Sequence, residues 1–207
     1  MGHDKSKYRW APLALGLSWL CAASKTLAQT ANPVTAPPSS SAATNSGYEG
    51  RFHADLELDP TAYALDGFSL HVGLGFRALR VDLGTFGLRV PEFVHGQSHF
   101  EQRFDGYGVK VQYFPFADQR GAFIGVDGAY SRSLIRLQGS QLSARDRQFA
   151  LGINAGFRFD LPANFYITPW LGVGYAFGAD DVTLGDQTFD VNPLIVFPAV
   201  HLGYRLR

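Results

Sequence analysis

From Tyr48 onward, apolar residues return at every second position, a period of two that predicts strands rather than helices. In 51–58 the apolar set is Phe52, Ala54, Leu56 and Leu58, interleaved with Arg51, His53, Asp55 and Glu57. In 68–76, Phe68, Leu70, Val72, Leu74 and Phe76 alternate with Ser69, His71, Gly73 and Gly75. A third strand opens with Leu79, Val81 and Leu83. Its parity then moves to Phe86, Leu88 and Val90, which predicts a bulge near Gly84 or Gly87. The fourth and fifth carry Tyr107, Val109, Val111, Tyr113 and Ile124, Val126, Gly128, Tyr130. The sixth is the most regular, with Phe149, Leu151, Ile153, Ala155, Phe157 and Phe159 on one side. The seventh (165–177) and eighth (194–206) keep the alternation to Phe177 and Leu206.

The connections divide into two kinds. Those after the second, fourth and sixth strands are tight: Arg77 to Arg80, Pro115 to Arg120 and Leu161 to Asn164. Those after the first, third, fifth and seventh are longer: 59–67, 91–102, 131–147 and 178–192. Eight strands of this length, with short turns at one rim and long loops at the other, predict an all-β fold: an eight-stranded antiparallel up-and-down transmembrane β-barrel.

A soluble lipocalin-like barrel shares the strand count and the alternation, so the question is which face points outward. With the apolar set inside, the exterior would be rich in Gly73, Gly75, Gly106, Gly108, Gly152, Gly156, Gly172 and Gly174, a poor solvating surface. With the apolar set outside, the glycines share a narrow lumen with charges that pair with one another. That arrangement suits both faces. Phe52, Tyr113, Phe165, Phe177 and Tyr204, near strand ends, are then expected in interfacial girdles.

Charge and composition sharpen this reading. The 207 residues carry 18 Lys+Arg and 18 Asp+Glu, a balance too neutral for a nucleic-acid binder. Lys5, Lys7 and Arg9 precede the apolar run 11–23, and Thr26-Leu27-Ala28 offers small residues for cleavage, so 1–28 is expected to be a secretory signal peptide. Its removal would take four basic residues against Asp4 alone and leave Lys110 as the one lysine beside all 17 Phe. Segment 29–47 (QTANPVTAPPSSSAATNSG) has no charge and no period and is expected to be a flexible tether, leaving 48–207 as the barrel.

The segment YFPFADQRGAFIGVDGAYSR (113–132) reads as strand, tight turn and strand. On it, and on the architecture, the chain resembles the small eight-stranded outer-membrane proteins of Gram-negative bacteria of the OmpA-transmembrane-domain, OmpX and OmpW type. The resemblance implies residence in the bacterial outer membrane, contact with outer-membrane lipid and lipopolysaccharide, and insertion by the barrel-assembly machinery. A monomer is expected.

An eight-stranded lumen is about filled by its own side chains. The inward list is Arg51, His53, Asp55, Glu57, His71, Arg77, Lys110, Asp127, Arg158, His201 and Arg205. Strands eight, one and two are neighbours in a closed barrel, so His201, His53 and His71 are placed to approach one another. A catalytic or metal role is weighed against a plug of ion pairs, and the plug is preferred because no nucleophile accompanies the histidines. Ser69, two residues from His71, is a parallel neighbour rather than a dyad partner. His95 and His99 sit in a loop, and the acidic last loop (Asp180, Asp181, Asp186, Asp190) lacks calcium-loop spacing. That loop is expected to face the basic third one, with Arg132, Arg136, Arg145 and Arg147. No cofactor, no metal and no catalytic residue is assigned. The expected role is structural or interactive, through the extracellular loops; the alternatives are a narrow conduit for small or hydrophobic solutes and a lipid-modifying enzyme.

Overall fold

The structure, a computed structural model, describes residues 52–206; the expected signal peptide (1–28), the expected tether (29–47), residues 48–51 and Arg207 lie outside the described residues. The barrel strands are β1 (Phe52–Leu58), β2 (Phe68–Phe76), β3 (Leu79–Val90), β4 (Phe100–Tyr113), β5 (Gly121–Leu137), β6 (Ser143–Asp160), β7 (Phe165–Phe177) and β10 (Leu194–Leu206). A short hairpin of β8 (Val182–Leu184) and β9 (Gln187–Phe189) lies in the last loop. Each barrel strand pairs antiparallel with the next, and β10 returns to β1, from Ala54↔Leu206 to Leu58↔Leu202, closing the sheet. Closure leaves no edge with unpaired backbone groups, which a strand in hydrocarbon could not tolerate. No described helix is long and apolar enough to cross a membrane.

Burial is inverted relative to a water-soluble domain. Leu74, Leu83, Ile124 and Ile153 are 56%, 57%, 65% and 66% exposed, while Asp55, Arg80, Asp82 and Arg158 are at most 1% exposed. An apolar belt of this extent in water would be an aggregation surface; in lipid it is the solvated face. Two aromatic bands border it. At the turn rim, Phe52 stacks on Phe76 and Phe165 meets Tyr204, with ring centres 4.5 and 5.0 Å apart. Toward the loop rim, Tyr107, Tyr130, Phe149 and Phe177 are successive cross-strand partners, so they form one continuous row.

Three expectations change. The β3 bulge is absent: β3 keeps one uninterrupted register against both β2 (Phe68↔Gly87 to Phe76↔Leu79) and β4 (Leu79↔Tyr113 to Val90↔Gln102). The parity of β3 shifts because Phe86 points inward, beside Gly108 of β4, and Phe104 packs edge-on at 6.1 Å. The strands flanking the third loop are also longer than the alternation predicts, with β5 and β6 of 17 and 18 residues, so that loop shrinks to 138–142. Above the membrane belt the outward positions become charged, and an apolar period no longer marks them. Finally, among the described residues no ion pair joins the acidic last loop to the basic third one. They meet through apolar contacts instead: Leu184 and Phe189 pack on Phe100 and Ile135, with Leu137, Ala144, Val182 and Val191 around them.

The loop rim is thereby capped. Gln97 exchanges two hydrogen bonds of 2.9 Å with the backbone of Asp190, joining the second long loop to the fourth. The first loop forms α1 (Pro60–Ala64), started by Asp59, whose carboxylate accepts from Thr61 N–H at 2.8 Å. A single turn, α2 (Glu92–His95), ends at Gly96 with φ 69°, the left-handed conformation glycine accepts without cost.

Candidate functional site

The lumen holds a continuous polar network, organised around Arg80. Its guanidinium donates Nη2–H to Asp55 Oδ1 at 2.5 Å and Nε–H to Asp55 Oδ2 at 3.1 Å. It also donates to Asp82 Oδ2 at 3.1 Å and to Gln112 Oε1 at 2.8 Å, with Glu57 Oε1 3.3 Å away. Glu57 in turn accepts from Arg158 Nη2 at 3.1 Å and bonds His201 Nδ1 at 2.9 Å. Asp82 bonds His71 Nδ1 at 2.9 Å and pairs with Lys110 Nζ at 3.2 Å. Lys110 lies 4.9 Å over the Trp170 ring, and Arg158 lies 4.1 Å over Tyr166 and 4.9 Å over Phe114. Isolated buried charges would be prohibitively costly; here each carboxylate meets more than one cation or N–H donor, which is the condition for retaining them.

Glycines set the geometry. The His71 ring lies across the β3 backbone at Gly84, and the Tyr166 ring lies across β10 at Gly203. A Cβ at either position would overlap the ring.

Of the residues expected inside, Asp55, Glu57, His71, Lys110, Arg158 and His201 join this network. His71 and His201 do approach, with ring centres 4.8 Å apart. His53 does not join them: it sits nearer the turn rim, 3.0 Å from Gln119 Oε1. Asp127 is half-buried and accepts from Asn154 Nδ2 at 2.8 Å. Arg205 pairs with Asp160 at 3.3 Å near the turn rim. Arg77 is a correction. It occupies the two-residue turn 77–78 with φ 51°, is exposed, and lies over the Phe76 ring at 5.3 Å rather than in the lumen. Arg51 lies outside the described residues.

The alternation missed four contributors. Arg80 and Asp82 lie on a strand whose apolar alternation changes side at Phe86, and Gln112 is an uncharged member of its set. Gln119 belongs to a turn, which carries no period. It folds back into the barrel mouth, fully buried with φ 54°, and donates Nε2–H to the carbonyls of Arg77 and Leu79 at 2.9 and 2.7 Å. Phe114 is likewise fully buried and closes the same mouth.

The arrangement offers no nucleophile–base pair around Ser69. Its hydroxyl accepts from Asp59 N–H at 3.2 Å, while Nδ1 of His71 is turned to Asp82. No cluster of three or more His, Cys, Asp or Glu side chains poised for a metal occurs among the described residues. On the inward side of β7, Tyr166 Oη, Thr168 Oγ1 and Trp170 Nε1 have no hydrogen-bond partner among the described residues. Asn154 Oδ1 and Arg158 Nε and Nη1 of the neighbouring β6 likewise have none, and because buried polar atoms are ordinarily paired, the β6–β7 wall is less tightly specified than the Arg80 side of the lumen.

A closed eight-stranded barrel that is apolar outside, ion-paired inside, and has turns at one rim and loops at the other has the architecture of an outer-membrane-type transmembrane β-barrel. Among solved structures, the chain is similar to Neisserial surface protein A, at 15% identity and a TM-score of 0.43, over 75% of this chain and 94% of that one. It is also similar to a major outer membrane protein from Thermus thermophilus, at 14% identity and a TM-score of 0.45, over 75% of this chain and 98% of that one. No protein-family model matches the chain, and no curated protein does.

Proposed function

We propose that this protein acts through its loop rim, as a structural or interaction barrel of the outer membrane, with the lumen serving as a polar plug. The observation that carries this reading is Arg80, 1% exposed and held between Asp55, Glu57 and Asp82. A cation committed to three carboxylates of β1 and β3, with Arg158 of β6 reaching Glu57 at 3.1 Å from the other side, fills the cross-section that a conduit would need. The packed loop cap, tied by Gln97 and Asp190, supports the same assignment, since it presents an ordered surface. In this reading the protein is a monomer, solvated by outer-membrane lipid and inserted by the barrel-assembly machinery.

The test is conductance in planar bilayers. The folded protein is expected to give no discrete steps, and neither Asp127→Asn nor Lys110→Gln should create them. Steps whose size changes with either substitution would establish the narrow conduit instead.

A further inference from the structure

Above the aromatic row, the outward face of the long strands changes from apolar to cationic. Arg132 stands directly opposite Arg147 across β5 and β6, and Leu134 stands opposite Arg145. Like charges facing each other across a sheet destabilise it unless an anion lies between them. One carboxylate is near: Asp105, the cross-strand partner of Arg132, is ion-paired with it. Arg136, Arg145 and Arg147 are exposed and make no ion pair among the described residues. Glu101, the cross-strand partner of Arg136, is engaged by Arg89 at 3.1 Å, and Asp66 by Arg103 at 2.9 Å. Asp146, between Arg145 and Arg147 in sequence, points to the opposite side of its strand.

Beneath this surplus lies an open cleft of about 420 Å³, lined by Tyr107 and Tyr130 of the aromatic row together with Asp105, Arg132 and Arg147. The opposite rim is different. There Arg120 pairs with Asp118 at 2.7 Å, Arg205 pairs with Asp160 at 3.3 Å, and Arg77 covers Phe76. The cationic excess is thus confined to one face and one height, immediately outside the ring of side chains that marks the hydrocarbon boundary.

We propose that Arg132, Arg145 and Arg147, with the Tyr107–Tyr130 cleft, form a binding site for the phosphorylated headgroup of a lipid in the loop-side leaflet. The inference rests on the membrane reading above. Three features argue for a lipid headgroup. The site opens sideways onto the bilayer rather than upward to solvent. Its cations are all arginines, whose planar fork engages phosphate bidentately. Its floor is aromatic and amphipathic, suited to the junction of acyl chain and headgroup.

The test is native mass spectrometry of the detergent-folded protein titrated with bisphosphorylated lipid A, and with the same lipid stripped of its phosphates. The wild-type protein is expected to bind the bisphosphorylated form about ten-fold or more tightly, and the double variant Arg145→Gln/Arg147→Gln to lose that preference. Asp105→Asn, which removes the competing carboxylate, is expected to bind more tightly than wild type. Arg77→Gln/Arg120→Gln at the opposite rim should leave binding unchanged. Equal binding of the two lipids, retention of the preference by the double variant, or displacement by millimolar inorganic phosphate would overturn the proposal, the last in favour of a free-anion site. Heat-modifiable gel mobility verifies that each variant is folded; its absence in the wild-type protein would overturn the barrel reading itself.

Discussion

Arg80 of β3 and Asp55 of β1 meet across a glycine of the strand between them: a Cβ on Gly73 of β2 would overlap both the Asp55 carboxylate and the Arg80 guanidinium. The ion pair and the glycine are therefore one device. Arg80→Met is expected to strand Asp55, Glu57 and Asp82 in the lumen and to cost about 3–5 kcal/mol. Gly73→Ala should cost about 1–3 kcal/mol by overpacking. Gly128→Ala, whose added methyl would meet nothing closer than Leu151 at 3.5 Å, should be tolerated. Urea unfolding in lipid vesicles measures all three.

Gln119 fastens the turn-side mouth through His53 and the carbonyls of Arg77 and Leu79. Gln119→Ala leaves those partners without it, for an expected cost of about 1–3 kcal/mol. Hydrogen exchange should quicken in 114–120 while β5 and β6 stay protected. Uniform loosening of the whole barrel would contradict a local latch.

Ile153, 66% exposed at mid-strand, faces lipid. Ile153→Arg is expected to destabilise the vesicle-embedded protein by about 2–4 kcal/mol. In a water-solvated barrel the same change would be neutral and would improve solubility, so vesicle unfolding curves separate the two environments.

Loop docking should depend on pH through His95, which packs on Phe189 at 5.6 Å and whose Nδ1 accepts from Gln97 N–H at 3.2 Å. Burial pushes its pKa below the ordinary histidine value, with Glu92 pulling the other way. The docked loop therefore binds fewer protons than the undocked one. Its contribution is fully present above the ordinary histidine value of about pH 6.5 and is lost as pH falls from there through the lowered value of the docked state. Amide exchange at Gln97 and Asp190 should quicken on acidification in the wild type but not in His95→Gln. An unchanged profile in wild type would remove this role.

Much of the membrane barrel was legible because one-sided burial leaves a period of two. β2 and the lower part of β6 (149–159) could be read residue by residue, since every outward position there meets lipid. Legibility failed where that pressure lapses. Phe86 turns inward beside Gly108, and a one-dimensional pattern cannot distinguish that from a bulge. β5 and β6 continue past the belt on charged outward positions, so their upper halves read as loop. Gln119 and Phe114 enter the mouth from a turn, where no period exists.

The sequence by itself determined the strand count, the inverted faces and the division into turns and loops, because each follows from which neighbours along the chain share a side. It also supplied part of the polar inventory of the lumen, without Arg80, Asp82, Gln112 or Gln119. Only the tertiary structure decided who meets whom. That Arg80 bridges Asp55, Glu57 and Asp82, that His71 reaches His201 but not His53, and that Arg132 confronts Arg147 all depend on the register of strands distant in sequence. Register is fixed by closing the whole ring at once, so no local stretch of residues contains it.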